Sequence, residues 1–392
     1  AGTPEPMLTG LHVVLLANDN GLARTPPLGW RSWNLYGANV NQSLIESIMD
    51  GMVRKDRKVD GIPTSLCDLG YCDVGLDDNW QACGAYGPDK LHFHDEDGNP
   101  IVNTKRFPDF KGMTDHAHKL GLTAGWYGNN CICSERATSD KKFYVGDVKA
   151  LRNYGFDSWK LDGCGAQAMT PACLAHVLNP ATYSPLTPPA PPCPPPRCHR
   201  VQTDLQLYDD LIKATPPTGG RSAIMVENCH WGSKVPFKPN ATWCPWNFYR
   251  TSGDVRARYS SVVGNLQTTG KYAASNLSYP GCWAYPDMLE VGCQHGPGGK
   301  GDPGLSADEA RTHFAAWAIV SSPLTLSHDV NNKEVMDAVW PIISNKEAIA
   351  VNQAYAGHSG SAFKQSEDVV TLDEVDYAAV HKGMSVEDVA AV

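Results

Sequence analysis

The chain has 392 residues, of which 42% are hydrophobic and 19% charged, and its formal net charge at pH 7 is −9. This is the composition of a globular protein, and the length accommodates a domain of about 250–330 residues with an appendage. The negative charge disfavours a nucleic-acid partner, because phosphate contacts need an excess of Lys and Arg. No apolar run approaches the roughly 20 residues of a membrane span.

From residue 20 onward, after an N-terminal extension over 1–19, short apolar runs alternate with longer amphipathic stretches. Eight runs predict strands: 27–33, 72–78, 122–128, 157–163, 222–229, 247–253, 282–289 and 323–329. Between them, helical periodicity covers segments such as 43–56, 111–121, 144–155 and 306–322, the last opening with a Ser306–Glu309 capping box. Eight strand–helix repeats predict an α/β fold, a (β/α)8 TIM barrel over 20–355.

Two segments interrupt this plan. Residues 179–198 are Pro-rich and without periodicity, which predicts an exposed polyproline-like insertion whose base Cys193 and Cys198 can tie. Residues 356–392 read as weak strands and a short helix. We interpret them as the remnant or the start of a C-terminal antiparallel β domain that is otherwise truncated or missing.

Polar side chains follow the predicted strands where each one ends, and these ends form the active site in TIM barrels. They are Asp77, Asp78, Tyr127, Lys160, Asp162, His230, Arg250, Asp254 and Asp287. Lys160 and Asp162 are two residues apart on one strand and therefore face the same way. Several of these residues also have an interpretation outside an active site. Lys160 and Asp162 can form a structural ion pair, and Asp254 can be a helix N-cap. Asp77 and Asp78 can form a calcium site or be solvated carboxylates.

Thirteen cysteines and three glycosylation sequons, at Asn41, Asn240 and Asn276, favour a chain that passes through the secretory route. The expected location is secreted or extracellular, or a vacuolar or lysosomal lumen. The odd cysteine count leaves at least one thiol free or paired outside the chain.

Several motifs in the same order resemble glycoside hydrolase family 27, the melibiase group of α-galactosidases and α-N-acetylgalactosaminidases. They are NGLARTPPLGWRSWN (20–34), GLDDNW (75–80), RFPDFKGM (106–113), WKLDGCG (159–165), RTSGD (250–254), YPDMLEVG (285–292), GLSADEARTHFAAWAIVSSPLTLSHD (304–329) and AIAVNQ (348–353). The resemblance covers nearly the whole predicted barrel.

The resemblance implies a role for each matched position. Asp162 is similar to the family's nucleophile and Asp254 to its general acid/base. Other positions match residues that bind or wall the sugar: Trp33, Asp77, Asp78, Tyr127, Lys160, His230, Arg250, Asp287 and Met288. Cys164 is similar to a cysteine that pairs with one near the end of the third strand, here Cys131 or Cys133. No metal and no cofactor is implied.

Glycoside hydrolysis with retention needs two carboxyl groups about 5–5.5 Å apart, one attacking the anomeric carbon and one protonating the leaving oxygen. We expect Lys160 to depress the pKa of Asp162, and the charge of Asp162 to raise the pKa of Asp254.

The chain departs from the family pattern at three places. His230 stands where the α-galactosidases carry Glu and the N-acetylgalactosaminidases Ser, Ala284 and Tyr285 replace an Asn-Asp pair, and Asn79 replaces a cysteine. The departures indicate altered specificity and leave Asp162 and Asp254 in place.

The sequence therefore predicts a retaining exo-glycosidase that hydrolyses terminal α-D-galactosyl residues of oligosaccharides or glycoconjugates. The alternatives are a β-L-arabinopyranosidase acting on extracellular glycans, and a non-catalytic carbohydrate-binding or matrix protein. The Pro-rich insertion favours association with Pro-rich extracellular glycoproteins. A metal-dependent barrel enzyme is the weakest reading, because no residues have metal-ligand spacing.

Overall fold

The architecture is taken from a computed structural model of the chain. It describes residues 20–83, 86–87, 93–129, 140–162, 205–217, 223–229, 244–295 and 301–362. Outside these ranges lie the 179–198 insertion, His230, Asn240, and the cysteines proposed to pair near the site, Cys131, Cys133 and Cys164. The boundaries assigned to the N-terminal extension and the C-terminal segment stay predictions.

The strands of the described part begin and end as follows: β1 Leu28–Arg31, β2 Arg57–Val59, β3 Ile62–Thr64, β4 Asp73–Gly75, β5 Thr123–Asn129, β6 Ser158–Asp162, β7 Met225–Cys229, β8 Phe248–Arg250, β9 Trp283–Tyr285 and β10 Leu324–Leu326. Eight of them form one sheet in the order β10-β1-β4-β5-β6-β7-β8-β9, and every neighbouring pair is parallel. Each of the eight predicted runs contains or overlaps one of these strands. Strands β2 and β3 form a separate antiparallel hairpin, which the sequence did not predict.

The sheet curls on itself, as contacts across its interior show. Arg31 on β1 donates from Nη2 to Oγ of Ser158 on β6, at 3.2 Å, although β4 and β5 lie between these strands. The two edges also meet, because the N–H of Leu289, just after β9, donates to the carbonyl of Thr325 on β10 at 2.8 Å. The (β/α)8 barrel prediction is confirmed.

The helices surround this sheet. They are α1 Trp33–Tyr36, α2 Gln42–Met52, α3 Phe110–Lys119, α4 Lys141–Tyr154, α5 Leu205–Ala214, α6 Tyr259–Gln267, α7 Gly270–Ala274, α8 Ala307–Ile319, α9 Lys333–Ile343 and α10 Lys346–Gln353. The capping box of α8 is confirmed: Ser306 Oγ accepts from the Glu309 N–H, and Glu309 Oε2 accepts from the Ser306 N–H. No helix in the described ranges is long and apolar enough to span a bilayer.

Buried aromatic residues between the sheet and the helices fix which side chains point inward. Trp126 on β5 stacks on Trp159 of β6 with ring centroids 5.7 Å apart, and both rings contact aromatic residues of the helical layer. Successive residues of a strand face opposite sides. Tyr127 and Lys160 therefore point into the barrel, which places them in the candidate site.

Two disulfides lie within the described ranges, Cys67–Cys72 and Cys244–Cys282. The first closes a short loop before β4, and the second ties the segment before β8 to the segment before β9. Cys229 and Cys293 are free and buried.

Candidate active site

The polar side chains predicted from the strand ends converge at the carboxyl end of the barrel. The structure brings together Asp77 and Asp78 after β4, Tyr127 on β5, Lys160 and Asp162 on β6, Arg250 on β8, Asp254 after β8, and Asp287 and Met288 after β9. Their convergence follows from the parallel sheet, because all carboxyl ends lie at one rim.

A buried ion pair links Lys160 on β6 to Asp77, just after β4. Lys160 Nζ lies 2.7 Å from Asp77 Oδ2, and the two side chains are 5% and 2% exposed. Burial lowers the pKa of Lys160, but Asp77 and further nearby groups outweigh it and raise that pKa well above its usual value. Lys160 therefore remains a cation at the base of the site.

A sharp backbone bend brings Asp77 and Asp78 to the same region. Strand β4 ends at Gly75, and Asn79 adopts a φ of 74°, which is uncommon for a residue with a side chain. Asp78 Oδ1 accepts from the Asn79 N–H at 2.7 Å, within this turn. Burial raises the pKa of Asp78 to about 7, and the charges of Asp77 and Asp162 add to the shift.

Asp162 ends β6 and is held by a tyrosine on the neighbouring strand. The Tyr127 hydroxyl donates to Asp162 Oδ2 at 2.6 Å and accepts from Asn129 Nδ2 at 3.0 Å. Burial raises the pKa of Asp162, and Lys160 and the Tyr127 hydrogen bond only partly oppose it. The charge of Asp254 acts in the same direction as burial, so the two aspartates share the mouth of the barrel.

Arg250 lies between two carboxylates. Its Nη2 atom is 2.8 Å from Asp287 Oδ2 and 3.1 Å from Asp254 Oδ1. The guanidinium and Asp287 are buried, while the Asp254 side chain is 60% exposed at the mouth. Arg250 also donates from Nη1 to the thiol of Cys229 at 3.2 Å.

The expected order of the two aspartate pKa values is wrong for the substrate-free protein. Partial loss of water raises the pKa of Asp254, but the effect is limited because this side chain is largely exposed. Arg250 and Lys160 outweigh it, so the pKa of Asp254 lies below its usual value. The pKa of Asp162 is raised instead. Lys160 acts on both carboxyls, so a ligand that pairs with it will change both pKa values.

Asp287 holds a strained conformation that its neighbours stabilise. Its φ is 96°, which is unusual for a residue with a side chain. Its carboxylate accepts from the N–H groups of Val255 and Met288, each at 2.8 Å, and its carbonyl accepts from Trp317 Nε1 at 2.7 Å. The strain keeps the Asp287 carboxylate beside Arg250.

One wall of the site is apolar. Met288 belongs to a cluster with Phe248, Trp283 and Tyr285, and Trp33 packs against that cluster. An apolar wall opposite charged groups suits a sugar ring, because one face of the ring is less polar than the other and hydroxyl groups surround its edge.

Some of the predicted site residues are not described. His230 and the cysteine pair Cys164 with Cys131 or Cys133 lie outside the described ranges. Of the sequons, Asn41 is the exposed N-cap of α2, accepting from the Leu44 N–H at 2.9 Å, and Asn276 is exposed with a φ of 51°.

Three residues of the site were not singled out from the sequence: Asn129, Glu227 and Cys229. Asn129 follows Tyr127 by two residues, and Glu227 and Cys229 are two apart on β7. The strand alternation that indicated a common direction for Lys160 and Asp162 could therefore have identified these residues as well.

The arrangement suits a two-step displacement at a carbon that bears two oxygens. Asp162 has one carboxylate oxygen held by Tyr127, which leaves the other for attack. Asp254 lies at the solvent side, where a leaving group and then a water molecule have access. Lys160, Arg250 and the aspartates around them offer donors and acceptors to hydroxyl groups.

Comparison with known families gives one consistent result. The family model described as alpha galactosidase A matches residues 25–177 and 197–354. The chain is 28% identical over 359 residues to an α-galactosidase of Cyamopsis tetragonoloba, covering 90% of this chain and 70% of that protein. It is 30% identical over 349 residues to an α-galactosidase of Oryza sativa subsp. japonica, covering 88% and 67%.

Solved structures share the fold. An α-galactosidase of Saccharomyces cerevisiae superposes with a TM-score of 0.62 at 23% identity, covering 86% of this chain and 66% of that one. A GH27 β-L-arabinopyranosidase of Geobacillus stearothermophilus gives a TM-score of 0.58 at 19% identity, covering 85% and 78%. The chain spans 64% of the length of the first structures it matches, from Bacteroides fragilis.

Proposed function

The chain belongs to the alpha galactosidase A family of glycoside hydrolases, family 27, and from this membership we propose that it is a retaining exo-glycosidase that releases terminal α-D-galactosyl residues. The observation that carries the proposal is the pair Asp162 and Asp254 at one barrel mouth, with Lys160 and Arg250 beside them. Asp162 attacks the anomeric carbon, and Asp254 protonates the departing oxygen and then activates water.

The charged groups also define a sugar pocket. Asp77, Asp78, Lys160, Arg250 and Asp287 surround the two catalytic aspartates with acceptors and donors for ring hydroxyls, while Trp33 and Met288 provide the apolar wall. The position of His230 next to the pocket residue Cys229 in sequence supports a role at the C2 substituent. A side chain larger than Ser at that position disfavours an N-acetyl group there.

The test is a panel of 4-nitrophenyl glycosides: α-D-galactoside, β-L-arabinopyranoside, N-acetyl-α-D-galactosaminide and α-D-glucoside. We expect the α-D-galactoside to be the best substrate and the N-acetyl and glucoside compounds to be poor ones. Asp162→Asn, purified in parallel, controls for contaminating activity.

Each outcome of the panel decides between the candidate functions. Preference for the arabinopyranoside, which has the galactose configuration without the C6 group, would assign the β-L-arabinopyranosidase function instead. No hydrolysis of any compound, together with measurable galactose binding, would favour the non-catalytic alternative.

We infer that the protein acts in the secretory route or outside the cell on galactose-containing glycans. The Cys67–Cys72 and Cys244–Cys282 disulfides are those of an oxidising compartment, and the Asn41 and Asn276 sequons are exposed. Expression in a eukaryotic secretory host should give a protein whose mass falls on treatment with an N-glycosidase. An unchanged mass would contradict use of the sequons.

A further inference from the structure

A second group of charged side chains, Arg31, Asp73 and Glu227, fills the barrel interior below the sugar pocket and is called the lower tier. Arg31 Nη1 lies 2.6 Å from Asp73 Oδ2, its Nη2 donates to Ser158 Oγ at 3.2 Å, and its Nε lies 4.0 Å from Glu227 Oε2. The Arg31 and Glu227 side chains are 3% and 4% exposed. Charged groups this deep in a barrel are costly unless they serve each other or the site above.

The surrounding backbone is shaped to hold the Arg31 guanidinium. A Cβ atom at Gly75 would lie 2.0 Å from Arg31 Nη1, and one at Gly125 would lie 2.6 Å from it. Any side chain at these strand positions would displace the guanidinium. Arg31 is therefore fixed below the site, and Glu227 is held beside it.

Glu227 connects this lower tier to the sugar pocket. Strands β6 and β7 pair with Lys160 directly opposite Glu227, and both side chains are buried in the barrel interior. Lys160 in turn holds Asp77 at 2.7 Å. The carboxyl of Glu227 thus lies between Arg31 below and the cations of the pocket above.

We propose that Glu227 is a positioning residue of the active site, which acts through Lys160 and Arg250 by setting the negative charge beneath them. The inference rests on the glycosidase function proposed above. When Glu227 is ionised, it offsets part of the positive field that the two cations exert on Asp162 and Asp254. When it is neutral, that field acts unopposed and favours the ionised forms of the two aspartates.

The charge of Glu227 changes in an accessible pH range. The groups that face it come from the neighbouring strands: Arg31 on β1, Asp77 after β4, Lys160 on β6, Cys229 on β7, Arg250 on β8 and Tyr285 on β9. Burial raises the pKa of Glu227 to about 7, although Lys160, Arg31 and Arg250 oppose the shift. One charge at about 10 Å moves a neighbouring pKa by on the order of one unit at an effective dielectric of about 20.

Glu227→Gln removes this charge and keeps the shape of the side chain. The measurement is kcat/KM on 4-nitrophenyl α-D-galactoside as a function of pH. The ratio of variant to wild type should be constant below about pH 6, where Glu227 is neutral, and should fall roughly 3- to 10-fold between pH 6 and 8, because only the wild type then gains the charge that keeps the general acid protonated. Glu227→Asp, which keeps an ionisable carboxyl, should restore most of the wild-type profile. A Glu227→Gln ratio that stays constant from pH 5 to 8 would overturn the proposal.

Glu290→Gln is the matched control. Glu290 is also fully buried, but its carboxyl pairs with Asn34, whose Nδ2 donates to Oε1 at 2.9 Å. Its replacement should lower the melting temperature and leave the ratio of kcat/KM to the wild type independent of pH. An equal pH-dependent fall in Glu290→Gln and Glu227→Gln would also overturn the proposal, because the fall would then reflect loosened packing.

A readout without turnover separates this inference from the proposed function. In protein labelled with ¹³C at the Asp carboxyl groups, Asp162→Asn identifies the Asp162 signal and Asp254→Asn the Asp254 signal. In the wild type, these signals should show a change in chemical shift near pH 7, when Glu227 becomes charged, and Glu227→Gln should lack that change. If the wild-type protein hydrolyses no glycoside, the proposed function fails while this titration still decides the inference. The same change near pH 7 in Glu227→Gln and in the wild type refutes the inference alone.

Discussion

The hydroxyl of Tyr127 donates a 2.6 Å hydrogen bond to Oδ2 of Asp162. Burial and the nearby carboxylates raise the pKa of the phenol well above 10, so Tyr127 remains a donor at acidic and neutral pH. This bond fixes the plane of the carboxylate and leaves its second oxygen to the substrate. Because the bonded oxygen carries part of the negative charge, the bond also favours the ionised form of Asp162.

Tyr127→Phe should therefore lower kcat while preserving the fold. A hydrogen bond to a charged group contributes about 1.5–3 kcal/mol, which corresponds to roughly 10- to 100-fold in rate. Steady-state kinetics with the α-D-galactoside measure the loss, and thermal unfolding checks the fold. A variant with wild-type kcat would show that this hydrogen bond does not support the reacting group.

Asp162→Asn should reduce turnover by on the order of 10³-fold or more, because an amide cannot form the glycosyl ester. Asp254→Asn should behave differently with a nitrophenyl leaving group, which departs without protonation. The first step then continues, the second lacks its base, and a burst of about one nitrophenolate per site is expected. A burst from Asp162→Asn would reverse the two assignments, and a product with inverted anomeric configuration would exclude the double displacement.

The fold could be predicted from local patterns because each barrel strand is a short apolar run bounded by polar residues. The ends of the strands were less predictable. The run 282–289 was predicted to be one strand, but the strand ends at Tyr285. Pro286 has no N–H to donate, and Asp287 turns away with a φ of 96°, so the ladder cannot continue.

Most residues of the site could be predicted from the sequence, but their pairing could not. Lys160 was expected to act mainly on Asp162, its neighbour on the same strand, and to depress the pKa of that carboxyl. In the structure, Lys160 contacts Asp77, which is 83 residues away, and burial dominates at Asp162. Such cross-barrel contacts depend on the register and curvature of the sheet, which short sequence patterns do not encode.

Stability should fall in acid because of two buried histidines. Burial lowers the pKa of His313 to about 3 and that of His328 to about 4, whereas the unfolded chain binds these protons near pH 6.5. The unfolded state therefore gains protons first, and the stability present above pH 6.5 is lost as pH falls toward 4. Urea unfolding between pH 4 and 7 measures this slope.

His313→Gln tests the contribution of one of these histidines. The variant will be less stable at every pH, since the N–H of Glu290 loses its acceptor, His313 Nε2, at 3.0 Å. Its stability should nevertheless depend less steeply on pH between 4 and 6.5 than that of the wild type. An unchanged slope would mean that His313 does not differ in proton binding between the folded and unfolded states.

Asp77 and Asp78 are adjacent, yet their replacement by Asn should have different consequences. Asp77 is buried against Lys160, and Asp77→Asn leaves that cation without its partner, which costs about 3–5 kcal/mol of stability. The pKa of Asp78 is about 7, so at pH 5 its carboxyl is neutral and offers one donor and one acceptor, much as Asn does. Asp78→Asn should bind galactose nearly as well as the wild type at pH 5.

Above pH 7, the two side chains at position 78 differ in charge. The wild-type carboxylate then accepts charge-assisted hydrogen bonds from sugar hydroxyls, which an amide oxygen accepts more weakly. The ratio of the galactose Kd of Asp78→Asn to that of the wild type should therefore rise about tenfold between pH 5 and 8, with its midpoint near 7. Calorimetric titration with galactose measures this without turnover, and Asp77→Asn serves as the control whose affinity is lost at both pH values. A ratio that stays constant across this range would mean either that Asp78 keeps one charge state or that it does not contact the sugar. A titration of the wild-type protein with ¹³C at the Asp78 carboxyl distinguishes the two.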